Sequence, residues 1–171
     1  GSRTVRVRVT DDDGGVGLAS LPVVVRSGPP ELTLDPDLTL GWIRQFGTSA
    51  IDEARAMTID AAGNTYFSGY TQGDLFAANA GFNDVILGKI DPAGNRLWAI
   101  QFGTIEGDVA RGVGVDAEGN VFVSGDTIGN IGGQNAGEID AFLSKYTADG
   151  QLLWARQLGT TAIDVNRGVA L

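Results

Sequence analysis

Side chains alternate along Arg55–Asp60, with Arg55, Met57 and Ile59 opposed to Ala56 and Thr58. A period of two is that of a β-strand. The polar stretch DAAGN interrupts the alternation and Thr65–Gly69 resumes it, which predicts a hairpin. After a longer connection, Val85–Ile90 predicts a third strand, DPAGN a second turn and Arg96–Phe102 a fourth strand. The series then recurs as Arg111–Asp116, DAEGN, Val121–Gly125, Ala141–Tyr146, TADGQ and Leu152–Leu158. Two four-stranded units result, with an outer strand predicted at Leu40–Phe46 before them and an inner strand at Arg167–Leu171 after them.

The recurrence has a fixed period. Shifted by 56 residues without gaps, Trp42–Leu97 matches Trp98–Leu153 at 24 of 56 positions. A third copy opens at Trp154 and places Gly159, Asp164 and Arg167 in register with Gly103, Asp108 and Arg111. Repeats of this order with four strands each predict propeller blades, small antiparallel sheets stacked face to face. The fold class expected is all-β: a partial β-propeller of two four-stranded blades, at about 54–102 and 110–158, with a partial blade at 164–171. The flanking partial copies imply that the propeller continues in a longer chain, its remaining blades being partners of this pair. Two blades cannot close a ring, so each flank of the pair, lined with residues such as Val113, Val115, Phe122 and Phe142, is expected to be left partly exposed, and the pair to aggregate or be only marginally folded.

The recurring signature W-x-x-Q-[FL]-G-T, D-x-x-R, D-x-x-G-N-x-[YF]-x-S-G-x-T and D-x-x-L-x-K resembles the bacterial SBBP family, whose repeats are assigned to a seven-bladed β-propeller. The resemblance covers residues 40–171; VDAEGNVFVSG is more loosely similar to NHL-type blades. It implies an extracellular or cell-surface bacterial repeat module and names no ligand. At the N-terminus, TVRVRVTDDDGGVGLASLPVVV gives two alternating strands, Thr4–Thr10 and Leu18–Val25, and resembles the last hairpin of a PKD-type or immunoglobulin-like module, the tail of a truncated β-sandwich over residues 1–26. SGPPELTLDPD, with three prolines, reads as an extended linker within 27–39.

Composition narrows the chemistry. The 26 glycines among 171 residues favour tight turns over long helices. A net charge of -9, from 21 acidic and 12 basic side chains, repels a phosphate backbone, which argues against a nucleic-acid partner. With neither Cys nor His, soft-metal sites and Ser/His or Cys/His catalysis lack their residues. Only oxygen ligands remain for a metal; Asp11, Asp12 and Asp13 are read as a solvated acidic turn, with calcium binding as the alternative, and no other cofactor is expected. No apolar run reaches the roughly 20 residues that span a bilayer.

Asp60, Asp91 and Asp116 open the DxxGN loops and are read as turn formers, since a lone Asp lacks the alternating carboxylates of a calcium loop. The Asp-x-x-Arg positions, Asp52 with Arg55, Asp108 with Arg111 and Asp164 with Arg167, are candidates for a polar ring that binds a ligand at the channel mouth, or for ion pairs that fix the loop before each first strand. Asp84 and Asp140 open the third strands and Lys89 and Lys145 sit close to carboxylates; Trp42, Trp98 and Trp154 are placed for packing between blades. The long connections carry the remaining candidates, Asp74 and Asn130: QGDLFAANAGFN becomes IGNIGGQNAGEI, with Gly73, Asn79, Ala80 and Gly81 repeated and most other side chains changed. Constant backbone with variable side chains suits a binding surface.

Two function classes remain. One is a non-enzymatic surface or secreted module that binds a protein or glycan ligand or matrix, for adhesion. The alternative is part of a propeller enzyme, a lyase or glycoside hydrolase, whose catalytic residues lie in other blades. Paired carboxylates that broke the repeat would favour the hydrolase, and no such pair is present.

Overall fold

A computed structural model describes residues 2–10, 16–24 and 42–171. The described residues form ten strands: β1 (Ser2–Thr10), β2 (Val16–Val24), β3 (Asp52–Ile59), β4 (Thr65–Thr71), β5 (Asp84–Ile90), β6 (Arg96–Phe102), β7 (Asp108–Val115), β8 (Val121–Thr127), β9 (Asp140–Tyr146) and β10 (Leu152–Leu158). β1 and β2 form an antiparallel hairpin; β3-β4-β5-β6 and β7-β8-β9-β10 form two four-stranded antiparallel meanders. Each 56-residue copy thus contributes one blade-like sheet, an all-β arrangement with no helix among the described residues. Asp11, Asp12 and Asp13 and the predicted linker lie outside the described residues.

The short turns follow from their side chains. Asp60 Oδ1 accepts hydrogen bonds from the backbone N–H of Ala62 (3.0 Å) and Asn64 (2.9 Å), and Oδ2 accepts from Asn64 Nδ2 (2.8 Å). Gly63 closes the loop at φ 83°, a conformation a Cβ would strain. Asp91 with Asn95, and Asp116 with Asn120, repeat the arrangement, and in the fourth turn the Thr147 hydroxyl takes the place of the carboxylate.

The two sheets meet through one core. Tyr66, Val85 and Leu87 of the first blade cluster with Ala110, Val113, Val121, Val123, Phe142 and Tyr146 of the second, so Val113 and Phe142 are buried at the junction and do not line an exposed flank, because this face of the second blade is the one the first blade covers. Burying a side chain such as Phe142 contributes about 2–3 kcal/mol, and this junction holds several of them. The opposite face of the first blade has a smaller cluster of Phe67, Ile86 and Ile90, packed by Trp42, Phe46 and Met57. Moved forward one period, these residues become Val123, Phe142, Tyr146, Trp98, Phe102 and Val113, all members of the interblade core or packed on it. The open face of the first blade is therefore one half of the interblade interface, without the Tyr66, Val85 and Leu87 half opposite it. A shallow apolar groove lined by Trp42, Phe46, Met57, Phe67 and Ile86 marks it.

Two tryptophans reach forward: Trp42 Nε1 donates to the Pro92 carbonyl (2.9 Å) and Trp98 Nε1 to the Ala148 carbonyl (2.9 Å), so each outer segment is pinned to the turn after the third strand of the following blade. Trp154 packs edge-on against Phe122, ring centroids 6.2 Å apart.

Two predicted strands are not formed. Residues 42–46 make no ladder, because the third strand that holds each outer strand belongs to a preceding copy and the described residues offer none. Trp42 and Phe46 pack at the expected place nonetheless. Residues 167–171 also lack strand pairing, having no second strand to form a hairpin with, yet their backbone lies against β7, where a Cβ on Gly112 would stand 2.7 Å from the Val169 nitrogen.

Candidate functional site

The long connections β4–β5 and β8–β9 (72–83 and 128–139) lie at the same end as the short segments 47–51, 103–107 and 159–163 that lead into the first strands or the third copy. Parallel bridges Asn83–Gly107 and Ile139–Ile163 lay each long connection beside the segment that leads into the next copy. Together they make one end of the blade pair, distinct from the DxxGN turns.

The Asp-x-x-Arg positions are not ion pairs with each other. Asp52 Oδ2 accepts from the N–H (2.5 Å) and hydroxyl (3.0 Å) of Thr48, while Oδ1 accepts from the Thr71 hydroxyl (2.5 Å). Asp108 repeats this with Thr104, at 2.5 and 2.9 Å, and with the Thr127 hydroxyl. Asp164 accepts from the Thr160 N–H (2.6 Å) and hydroxyl (2.8 Å). Each aspartate thus ties the G-T loop before its strand, and in the two complete copies it also joins the start of the first strand to the end of the second. Burial pushes the Asp108 carboxyl above its ordinary range; bonds from Thr127 and Thr104 oppose the shift and the charge of Asp84 adds to it.

The arginines are turned aside by a bulge. Ala54 pairs with Gly69 and Ala56 with Ser68, leaving Arg55 as the extra residue; Ala110–Gly125 and Gly112–Ser124 do the same for Arg111. A bulge re-aims its side chain. Arg55 bonds to Glu53 (3.1 Å) and lies over the Tyr70 ring, whereas Arg111 pairs with Asp126, whose other oxygen accepts from the Asn166 N–H (2.6 Å). Arg167 is exposed near the end of the chain. The bulge also brings the Glu53 and Val109 carbonyls over Gly69 and Gly125, where a Cβ would overlap them.

The long connections are held from below. Gln101 Oε1 accepts from the N–H groups of Leu75 (3.0 Å), Phe76 (3.0 Å) and Ala77 (3.3 Å), and its Nε2 donates to the Gly73 carbonyl and to Asp84, each at 3.0 Å. Gln157 serves the second connection through Ile131, Gly132, Gly129 and Asp140. Asp74 accepts from the Asn79 N–H, and Asn130 from the Asn135 N–H, both at 2.7 Å. The Asp74 and Asn130 side chains therefore brace the loops they stand on. Lys145 pairs with Asp116 at 3.5 Å, and Lys89 lies over the Tyr66 ring.

The alternation of residues showed none of the threonine partners, the glutamine braces or the bulges, although Thr48, Thr71 and Gln101 all recur one period on as Thr104, Thr127 and Gln157. Also missed were three exposed apolar side chains of the loop end, Phe82, Ile105 and Ile128. Among the described residues no group of three or more acidic side chains is gathered to hold a metal ion, and no helix is long and apolar enough to cross a membrane.

No curated protein matches the chain. Residues 41–77 and 97–133, which hold the first two strands of each sheet and the outer segment before them, each match the family model of the SBBP beta-propeller repeat, one full period apart.

Proposed function

We propose that the chain is a non-enzymatic, extracellular or cell-surface repeat module that binds a protein, glycan or matrix ligand at its loop end, as a portion of a larger propeller. The N-terminal hairpin is read as the tail of a PKD- or immunoglobulin-like module that precedes it. One observation carries the reading: the connections 72–83 and 128–139 have their backbones fixed by the same repeated partners, Gln101 and Gln157, Asp84 and Asp140, Asn79 and Asn135, while their outward side chains differ. A rigid frame with variable side chains presents a surface at low ordering cost. Asp52 and Asp84, by contrast, recur as Asp108 and Asp140, and all four are buried and engaged in holding loops, which is work every copy needs.

The test is an array of soluble glycans and matrix proteins probed with the full chain. Saturable binding that is lost when residues 74–78 take the residues found at 130–134 supports the reading. Absence of saturable binding to every probe, or turnover of an arrayed glycan, contradicts it.

A further inference from the structure

Several exposed apolar side chains of the described residues have a structural explanation. Leu97, Leu152, Leu153 and Leu158 lie on outermost strands, and Val165 and Leu171 on the incomplete third copy. Phe82 and Ile105 do not fit either explanation, because they lie at the loop end of the junction between the two blades that are both present. They are 73% and 76% exposed, and Ile128 beside them is 46% exposed. The Asn83–Gly107 bridge sets residues 81–83 alongside 104–107, the Ile128 N–H donates to the Gly107 carbonyl (3.1 Å), and the Ile128 side chain reaches over Gly107.

The repeat shows that the fold does not require two of them. The position of Phe82 holds Glu138 in the second copy, and that of Ile105 holds Ser49 and Thr161 in the others. Ile128 has a partial structural account, since Ile51 and Gln72 in the first copy become Gly107 and Ile128 in the second, the isoleucine changing sides. Polar residues thus serve the same backbone elsewhere, and the exposed Phe and Ile add nothing to the core. Exposed apolar clusters of this kind mark interaction sites.

The surroundings define the partner. The loop-end segments 47–51, 72–83, 103–107, 128–139 and 159–163 contain Asp74, Glu106 and Glu138 and no Lys or Arg, in a chain of net charge -9. We infer that Phe82, Ile105 and Ile128 form a docking site for a protein segment that presents apolar side chains flanked by lysines or arginines. Exposed apolar side chains on an end whose only charged residues in these segments are acidic match that chemistry and repel nucleic acid and anionic lipid. A glycan is the weaker fit: the tryptophans that could stack on sugar faces are engaged in packing, and the site's own side chains donate no hydrogen bonds. The inference rests on the binding-module reading and names its partner class.

The experiment titrates the full chain with a short peptide alternating Leu and Lys, read by fluorescence anisotropy. Controls carry Glu in place of Lys, or Ser in place of Leu. The variant is Phe82→Glu with Ile105→Thr, the residues that other copies already hold at these positions, so the backbone is known to accept them. Saturable binding of the Leu/Lys peptide, weakened about tenfold or more in the variant and in both controls, supports the site. The added glutamate raises the negative charge, so a loss reports the apolar contact rather than general attraction. Unchanged affinity in the variant, equal binding of the Leu/Glu peptide, or no peptide binding overturns it. A glycan or matrix ligand whose binding survives the double substitution also overturns it, while leaving the binding-module reading intact.

Discussion

Thr71 donates its hydroxyl proton to Asp52 at 2.5 Å, tying the last residue of β4 to the first of β3, and Thr127 does the same for Asp108. The bond joins the end of the SGxT phrase to the D-x-x-R phrase, two parts of the repeat 19 residues apart. Because Asp52 also holds the Thr48 loop, one carboxylate sets both the entry to the blade and the exit to the long connection.

Replacing Thr127 by Val removes the donor and leaves a buried carboxylate oxygen unpaired. The expected loss is about 1–3 kcal/mol, measured by chemical denaturation, and Thr127→Ser is expected to restore most of it. Equal stability of the Val variant and the wild type contradicts the assignment.

Gly125→Ala is expected to cost more, because its Cβ would overlap the Val109 carbonyl that the Arg111 bulge brings across β8. Relief requires the bulge to shift, so a loss above about 3 kcal/mol is expected. Gly119, whose Cβ would meet only the Ala148 side chain but whose φ is 84°, should respond less steeply to the same substitution. A mild effect at Gly125 contradicts the bulge.

Placement of the eight strands of the two sheets was legible in the sequence; the bulge was not, nor was the lack of pairing at 42–46 and 167–171. β6 and β10 fall where the alternation and turns put them, and β3 and β7 begin three residues earlier than expected because Asp52 and Asp108 extend the ladder through their threonines. An added residue such as Arg55 leaves the period on either side intact, so Asp52 and Arg55 read as neighbours in function when their side chains go to different partners. The repeat helped with architecture and hid Phe82 and Ile105 for the same reason: attention to what recurs passes over what does not.

The tyrosines report the core in alkaline solution. Burial pushes Tyr146 up to about 12 and is the largest cause of the upward shifts at Tyr66 and Tyr70. These are the three tyrosines of the chain. A spectrophotometric titration should show all three tyrosines ionising above the ordinary value of about 10, Tyr146 at about 12, while the fold persists. A raised folded-state pKa contributes stability that is present below the unfolded value and lost as pH rises through the folded one, so stability should fall as they ionise. A tyrosine that titrates near 10 in the folded chain contradicts the packing.

The turns report in acid with the opposite sign. Bonds from Asn95 hold Asp91 below the usual carboxylate range; for Asp60 and Asp116 desolvation opposes the shift, but bonds from Asn64 and Asn120 and their backbone prevail. Stability from a depressed carboxylate is present above the unfolded pKa and lost as pH falls through the folded one. Asp108, raised by burial, works in the other direction. The denaturation midpoint should therefore fall below about pH 4, and less steeply in Asp91→Asn, which starts lower at neutral pH.

The central claim is that the two copies are equivalent blades, so that the Phe67, Ile86 and Ile90 face repeats the covered interblade face without its partner half. Sedimentation equilibrium of residues 40–171 over a range of concentrations tests it most directly. Association that grows with concentration is the predicted result. A strictly monomeric chain with a sharp two-state melt would contradict it, since a closed fold of two repeats would then hold both faces.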